Sequence, residues 1–128
     1  EQVKIAELLA KAKLFITDYS SVHFDSAYIG NTNIYYQFDQ EKFFTAHYNR
    51  GYFDYGKDGF GELIKDEDDI VNKIIFYIKN NCQIEEKYKN TIENTFHYLD
   101  HNNSKRTLEE IKKLSKKHEK NYRFNLVH

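Results

Sequence analysis

An α/β fold built on a short parallel sheet is predicted for this chain, and three observations predict it. Leu14-Phe15-Ile16 is a brief apolar run that breaks into the polar corner Thr17-Asp18-Tyr19-Ser20-Ser21. The corner leads straight into Val22 to Ile29, closed by Gly30. Asn33-Ile34-Tyr35-Tyr36-Gln37 then supplies a second short, β-prone run. Strand, turn, helix and strand make a β-α-β unit. The first run is too short and too apolar for a surface strand, so a buried parallel strand is expected. Ser20 or Ser21 suits the N-cap, where a hydroxyl accepts from the unpaired amides of the first turn. Gly30 suits the helix end, where glycine takes a left-handed conformation cheaply.

The remaining elements follow in order. Val3 to Ala12 reads as a helix with Ile5, Leu8, Leu9 and Ala12 on one face. Asp39 to Phe44 reads as a capped helical turn, and His47, Tyr48 and Arg50 follow without clear periodicity. Four of the five glycines lie between Gly51 and Gly61, so a loop is expected there that turns hard or passes close to something. Glu62-Leu63-Ile64 is a candidate third strand. Asp66-Glu67-Asp68-Asp69 opens a helix, with Asp66 and Asp69 spaced as a capping box and the acids suited to the helix dipole. Ile70, Val71, Ile74, Ile75 and Ile78 read as its core face, and Asn80-Asn81 as its end. A further helix is expected from Gln83 to Tyr98, with Ile84, Tyr88, Ile92, Thr95 and Phe96 on one side. After a polar turn from Asp100 to Asn103, Ser104 or Thr107 caps a last helix. Leu108, Ile111, Leu114 and Ser115 give it a weak stripe, and Lys112, Lys113, Lys116 and Lys117 a basic face. Residues 121–128 read as a loose tail.

Composition excludes several classes of function. The chain has 128 residues and a formal net charge of −1, so no global field draws it to nucleic acid. Its one cysteine, Cys82, excludes an internal disulfide and a four-cysteine zinc site, and a reduced thiol is expected. No apolar run approaches the ~20 residues that span a bilayer. The histidines form no metal-binding signature, and neither a metal nor a cofactor is expected. The sequence contains no methionine, and a piece of a longer protein is expected.

The chemistry concentrates at the corner. A buried strand feeding a helix start puts free amides at the carboxyl edge of a sheet, where open α/β folds bind phosphate groups. Thr17, Ser20 and Ser21 add hydroxyl donors, and Asp25, about a turn further on, suits a ribose hydroxyl. Arg50 suits a phosphate, with which an arginine pairs bidentately. The plainer readings stay open at this level: a capped helix without a ligand, and a surface ion pair at Arg50.

The motifs carry a resemblance. Thr17-Asp18-Tyr19-Ser20-Ser21-Val22, then Phe24-Asp25, then Tyr35-Tyr36-Gln37-Phe38-Asp39, then Arg50-Gly51-Tyr52-Phe53-Asp54-Tyr55 resemble, in matching order, the CDP-glycerol glycerophosphotransferase family of teichoic acid polymerases and primases. Asp100 to Arg106 sits where that family often carries a D-G-x-A-S-x-R segment, with His101 in place of the glycine and Asn103 in place of the alanine. The family usually has a proline just before the second strand, which Asn31-Thr32-Asn33 lacks. Its catalytic histidines lie in regions that would precede Glu1.

The resemblance implies a truncated C-terminal, donor-binding domain of a GT-B (Rossmann-like) transferase over residues 1–120. The implied reaction moves glycerol phosphate from CDP-glycerol to a membrane-linked polyol phosphate chain, releasing CMP, in the cytoplasm on the inner face of the plasma membrane. Ser20 and Ser21 would hold the donor pyrophosphate, supported by Thr17, with Asp25 on the ribose, Arg50 a further phosphate ligand and Ser104 to Arg106 a weaker one. The implied partners are CDP-glycerol, the acceptor and the missing N-terminal part of the same chain, without which the piece would be inactive. Two other readings stand beside this one: a transferase using another CDP-alditol or a nucleotide sugar, and a noncatalytic interaction domain whose aromatics and lysine face meet a partner or a membrane.

Overall fold

The structure is a computed structural model that describes residues 4–46 and 51–125, with side chains over 4–45 and 51–117. In order the elements are α1 (Ile5–Lys11), β1 (Leu14–Thr17), α2 (Val22–Tyr28), β2 (Thr32–Tyr36), α3 (Gln40–Ala46), β3 (Gly61–Ile64), α4 (Glu67–Lys79), α5 (Glu86–Thr95) and α6 (Asn103–Asn125). They fall into two compact units, Glu1–Phe96 and His97–His128.

The first unit is α/β, as predicted. Its sheet has the order β1-β2-β3 and both pairings are parallel. Leu14 lies opposite Thr32 and Thr17 opposite Tyr35, while Asn33 lies opposite Gly61 and Tyr36 opposite Ile64. β2 is central, and Thr32 to Tyr35 are buried. β1 is not the buried strand expected: it is half-buried, and Ile16 is 42% exposed. The cause is its position, since among the described residues β1 pairs on one side only, with β2.

Side chains alternate across β2 and divide the core in two. Ile34 joins Ile64, Ile70 and Tyr77, with Leu14, Tyr36, Ile74 and Cys82 against them, so α4 covers this face. The other cluster joins Ala27, Phe60 and Ile92, with Phe24, Phe53, Ile84 and Phe96 against it. Tyr35 points to the same side, with its ring edge-on to His23 of α2.

Local chemistry sets the element ends. Gly30 closes α2 at φ +89°, as the sequence indicated. Gly61 begins β3 pressed against β2: a Cβ there would run into the carbonyl of Asn33. This is the close approach foreseen for the glycine-rich loop. Asp66 caps α4 by accepting from the amides of Asp68 (2.9 Å) and Asp69 (3.2 Å). Asn31 Nδ2 donates to the Leu9 carbonyl at 3.0 Å and fastens α1 to the start of β2.

Several helix expectations need correction. In α1 only Leu9 is buried, while Ile5 and Leu8 are exposed. In α4 the inward stripe is Ile70, Ile74 and Tyr77, and Val71, Ile75 and Ile78 are exposed. The five-residue apolar face expected there merged two stripes about 100° apart, only one of which meets the sheet. α5 is shorter than Gln83 to Tyr98, because Phe96 already has extended backbone and Glu85 is its N-cap. Ile84, Ile92 and Phe96 still reach the core, whereas Thr95 is exposed.

In the second unit α6 begins at Asn103, so Ser104 and Thr107 lie inside the helix and do not cap it. Thr107 Oγ1 instead bonds back to the Asn103 carbonyl at 3.0 Å. The backbone stays helical to Asn125, through the start of the stretch expected to be a tail. The turn before it is held by Arg106, whose guanidinium donates to both Asp100 oxygens and lies 3.8 Å from the Tyr98 ring centre.

Candidate functional site at the serine corner

β1 ends at Thr17, and the chain turns through 18–21 at the carboxyl edge of the sheet before α2 begins. Four bonds fix the turn from within. The Tyr19 amide donates to Asp18 Oδ1 at 2.6 Å, and the Val22 amide to Ser20 Oγ at 3.3 Å. The amides of His23 and Phe24 donate to the carbonyls of Ser20 (3.4 Å) and Ser21 (3.1 Å). The amides of Ser20 and Ser21 find no acceptor among the described residues. Two adjacent N–H groups are therefore available to an anion at this edge. Ser20 supplies the capping hydroxyl, while Ser21, the N-cap by position, is already helical at φ −65°, ψ −12° and makes no side-chain cap. With seven residues α2 offers only two turns of aligned dipoles, so the free amides count for more here than the helix dipole.

Two bonds from β2's end hold the corner from outside. Gln37, fully buried, donates from Nε2 to the Asp18 carbonyl at 2.8 Å, and its Oε1 accepts from Gln40 Nε2 at 3.0 Å. The Tyr19 hydroxyl donates to Asp39 Oδ1 at 2.9 Å. The Tyr19 ring stacks on Phe43 at 3.7 Å and 4°, and meets Phe44 and Tyr55 edge-on. Burial first, then the Asp39 carboxylate, pushes the Tyr19 hydroxyl far above the usual phenol range.

Beside the corner lies an open cleft of about 510 Å³, lined by Asp18, Tyr19, Ser20, Phe43, Phe44, Gly51, Phe53 and Tyr55. Among the described residues its lining holds one carboxylate and no cation, and Lys65 lines a neighbouring cleft shared with Gly51, Phe53 and Tyr55. Behind the corner His23 is 1% exposed. The Tyr35 hydroxyl accepts from the Phe60 amide (3.1 Å) and shares a hydrogen bond of 2.8 Å with His23 Nδ1. The buried imidazole is neutral near neutral pH. Burial pulls its pKa down to about 4.

Of the residues singled out from sequence, Thr17, Ser20 and Ser21 come together at this edge, Thr17 and Ser20 half-buried and Ser21 exposed. Asp25 is exposed on α2, about one turn along. Arg50 lies outside the described residues, next in sequence to Gly51 of the cleft wall. Ser104 and Arg106 belong to the second unit. Sequence reasoning missed Gln37, Asp39 and the aromatic wall. The paired aromatics Phe43-Phe44 and Phe53 with Tyr55 were the available signal, but their spacing has no period that points to a common cavity.

A parallel sheet whose first crossover opens in a serine corner with two spare amides, beside a cleft, is the arrangement by which open α/β proteins take up phosphorylated ligands. The sequence pattern of the CDP-Glycerol:Poly(glycerophosphate) glycerophosphotransferase family matches residues 1–113, and the chain belongs to that family. It is similar to the minor teichoic acid biosynthesis protein GgaB of Bacillus subtilis (strain 168), with 39% identity over 107 residues. That alignment takes in 84% of this chain and 11% of GgaB, so the chain spans a small part of that relative's length. No solved structure matches the chain.

Proposed function

We propose that this chain is the donor-binding portion of a GT-B glycerophosphotransferase that acts in teichoic acid synthesis. The observation that carries the proposal is the pair of acceptor-free amides at Ser20 and Ser21, beside a cleft that Ser20 lines, in a chain of this family. The donor is CDP-glycerol, and its pyrophosphate sits on those two amides with the Ser20, Ser21 and Thr17 hydroxyls around it. Asp25 takes the cytidine ribose. The described cleft supplies no cation, and Arg50 provides the charge that a pyrophosphate needs.

In the reaction an acceptor hydroxyl oxygen attacks the phosphorus that bears glycerol. The new P–O bond forms as the bond to the CMP phosphate breaks, CMP leaves with the bonding pair, and the hydroxyl proton passes to a base. Such chemistry rests on positioning and on stabilising charge at the leaving group. Amides held by Gln37 and Tyr19 do this without reorganising. The acceptor is the end of a membrane-linked polyol phosphate chain. The enzyme therefore works as a peripheral protein on the cytoplasmic face of the membrane, and this portion is inactive without the rest of its chain.

Two substitutions at one position test the site. Ser21→Pro removes the amide hydrogen at a φ of −65° that proline shares. Ser21→Ala removes the hydroxyl alone. Calorimetric titration with CDP-glycerol is expected to show about a tenfold or greater loss for Ser21→Pro, as for one lost charge-assisted hydrogen bond, and a smaller loss for Ser21→Ala. Equal affinity of Ser21→Pro and the parent chain, with both folded by circular dichroism, would contradict the assignment.

A further inference from the structure

Residues 51–60 carry Phe53 and Tyr55, two rings that line the cleft beside Ser20. Among the described residues this stretch bonds mostly to itself. Asp54 Oδ1 accepts from the amides of Gly56 (2.9 Å) and Lys57 (3.2 Å), and Asp58 Oδ2 accepts from the Asp54 amide (3.0 Å). Outside the strand ladder one hydrogen bond leaves the stretch, from the Phe60 amide to the Tyr35 hydroxyl. That hydroxyl is the one bonded to His23 Nδ1, and both side chains are almost fully buried. Ring contacts extend the hold. The His23 ring centre lies 5.0 Å from that of Phe53 and 5.4 Å from that of Tyr55, and the Tyr35 ring centre lies 5.0 Å from that of Tyr55. His23 also belongs to the first turn of α2, where its amide donates to the Ser20 carbonyl at 3.4 Å. It thus meets the serine corner through its backbone and the cleft wall through its ring.

We infer that His23 and Tyr35 are a positioning pair for this cleft: together they hold Phe53 and Tyr55 at a set distance from the Ser20 and Ser21 amides. Neither side chain lines the cleft, so the pair acts through the wall. Packing alone does not call for these two residues. An imidazole and a phenol oxygen are costly to bury, and a phenylalanine would fill the core at position 35 nearly as well. The Phe60 amide supplies the reason, since it is a buried donor whose acceptor is the Tyr35 hydroxyl. His23 in turn gives that hydroxyl a second partner and ties it to the helix that begins at the corner. A wall held in this way needs no rearrangement when a ligand enters, which is how a positioned site gains affinity. The inference rests on the reading of the cleft as the donor site; the hold on the wall itself needs no ligand.

Tyr35→Phe in the full chain is the test, because it keeps the ring and removes the bridging oxygen. Without ligand, the nuclear Overhauser contact between the Tyr55 and Tyr19 rings, whose centres lie 6.3 Å apart, should weaken as the wall moves off the corner. Calorimetric titration with CDP should show a loss of about tenfold in affinity. Ile70→Ala, on the opposite face of the sheet, is the control for stability alone: it should leave the ring contact in place and CDP affinity within about twofold. His23→Leu and the double variant complete a cycle, in which the double variant should lose no more affinity than Tyr35→Phe, since both side chains act through one bond. If His23→Leu does not fold, Tyr35→Phe and Ile70→Ala still decide. An unchanged ring contact in Tyr35→Phe, unchanged CDP affinity, an equal loss in Ile70→Ala, or additive losses in the double variant would each overturn the inference. A parent chain that binds no CDP overturns the donor reading instead, and the ring contact then decides whether the pair holds the wall, so the two can fail separately.

Discussion

Gln37 is fully buried, and its amide joins β2 to the corner that follows β1 through the Asp18 carbonyl. Gln37→Leu keeps much of the side-chain volume but strands that carbonyl, and the expected cost is about 1–3 kcal/mol in denaturant unfolding. Donor affinity should fall with it, because the Ser20 and Ser21 amides follow directly on Asp18 and Tyr19. A cost in stability with no change in affinity would mean that Gln37 serves folding alone. His23 makes a different prediction. The unfolded chain takes up a proton near pH 6.5, while the folded chain holds it off to about pH 4. Stability from this group is thus complete above pH 6.5 and is lost as pH falls from 6.5 toward 4, by at most ~3 kcal/mol. Unfolding free energies between pH 7.5 and 4.5 should show the slope, and a chain carrying His23→Asn should show less of it. At this scale the sequence told much about Thr17, Ser20 and Ser21, whose motif is contiguous. It told nothing of Gln37 or Tyr19 as braces, because each acts across about twenty residues, through contacts that only the register of β1 on β2 creates.

Among the elements, α4 shows where a helical pattern stops being informative. Seen from sequence, Ile70, Val71, Ile74, Ile75 and Ile78 are equally apolar; in the fold Ile70 is buried beside Tyr77 while Ile78 is 63% exposed. Ile70→Ala is expected to cost about 2–4 kcal/mol, and Ile78→Ser less than about 0.5 kcal/mol, in urea unfolding. Similar costs at both positions would show that the exposed stripe is also covered. Tyr77 escaped notice because its ring enters the core while its hydroxyl reaches Glu85 at 2.7 Å, a dual role that hydropathy does not register. Lys73 lies between Glu62 and Glu85, bonded to both. Burial lowers its pKa, the two carboxylates raise it, and the carboxylates prevail. The β-α-β unit, the third strand and the Asp66 cap were legible, since each rests on neighbours in sequence. The burial of β1 was not, because it depends on which strands stand beside it.

At the scale of the whole molecule the chain falls into two compact units. The α/β unit Glu1–Phe96 presents the serine corner, whose Ser20 lines a cleft, and the unit His97–His128 presents a long helix with exposed Leu108, Ile111 and Leu114. The chain belongs to the CDP-Glycerol:Poly(glycerophosphate) glycerophosphotransferase family, and the donor site proposed above is placed at its serine corner. The most direct test is amide NMR of the chain titrated with CDP and CDP-glycerol, with UDP as the control. Saturable shifts are expected at Ser20, Ser21 and Val22 with both cytidine ligands, larger than those at Asp68 and Asp69, whose amides Asp66 already occupies, and much smaller shifts with UDP. A well-dispersed spectrum in which the Ser20 and Ser21 amides stay still up to millimolar ligand would contradict the donor assignment.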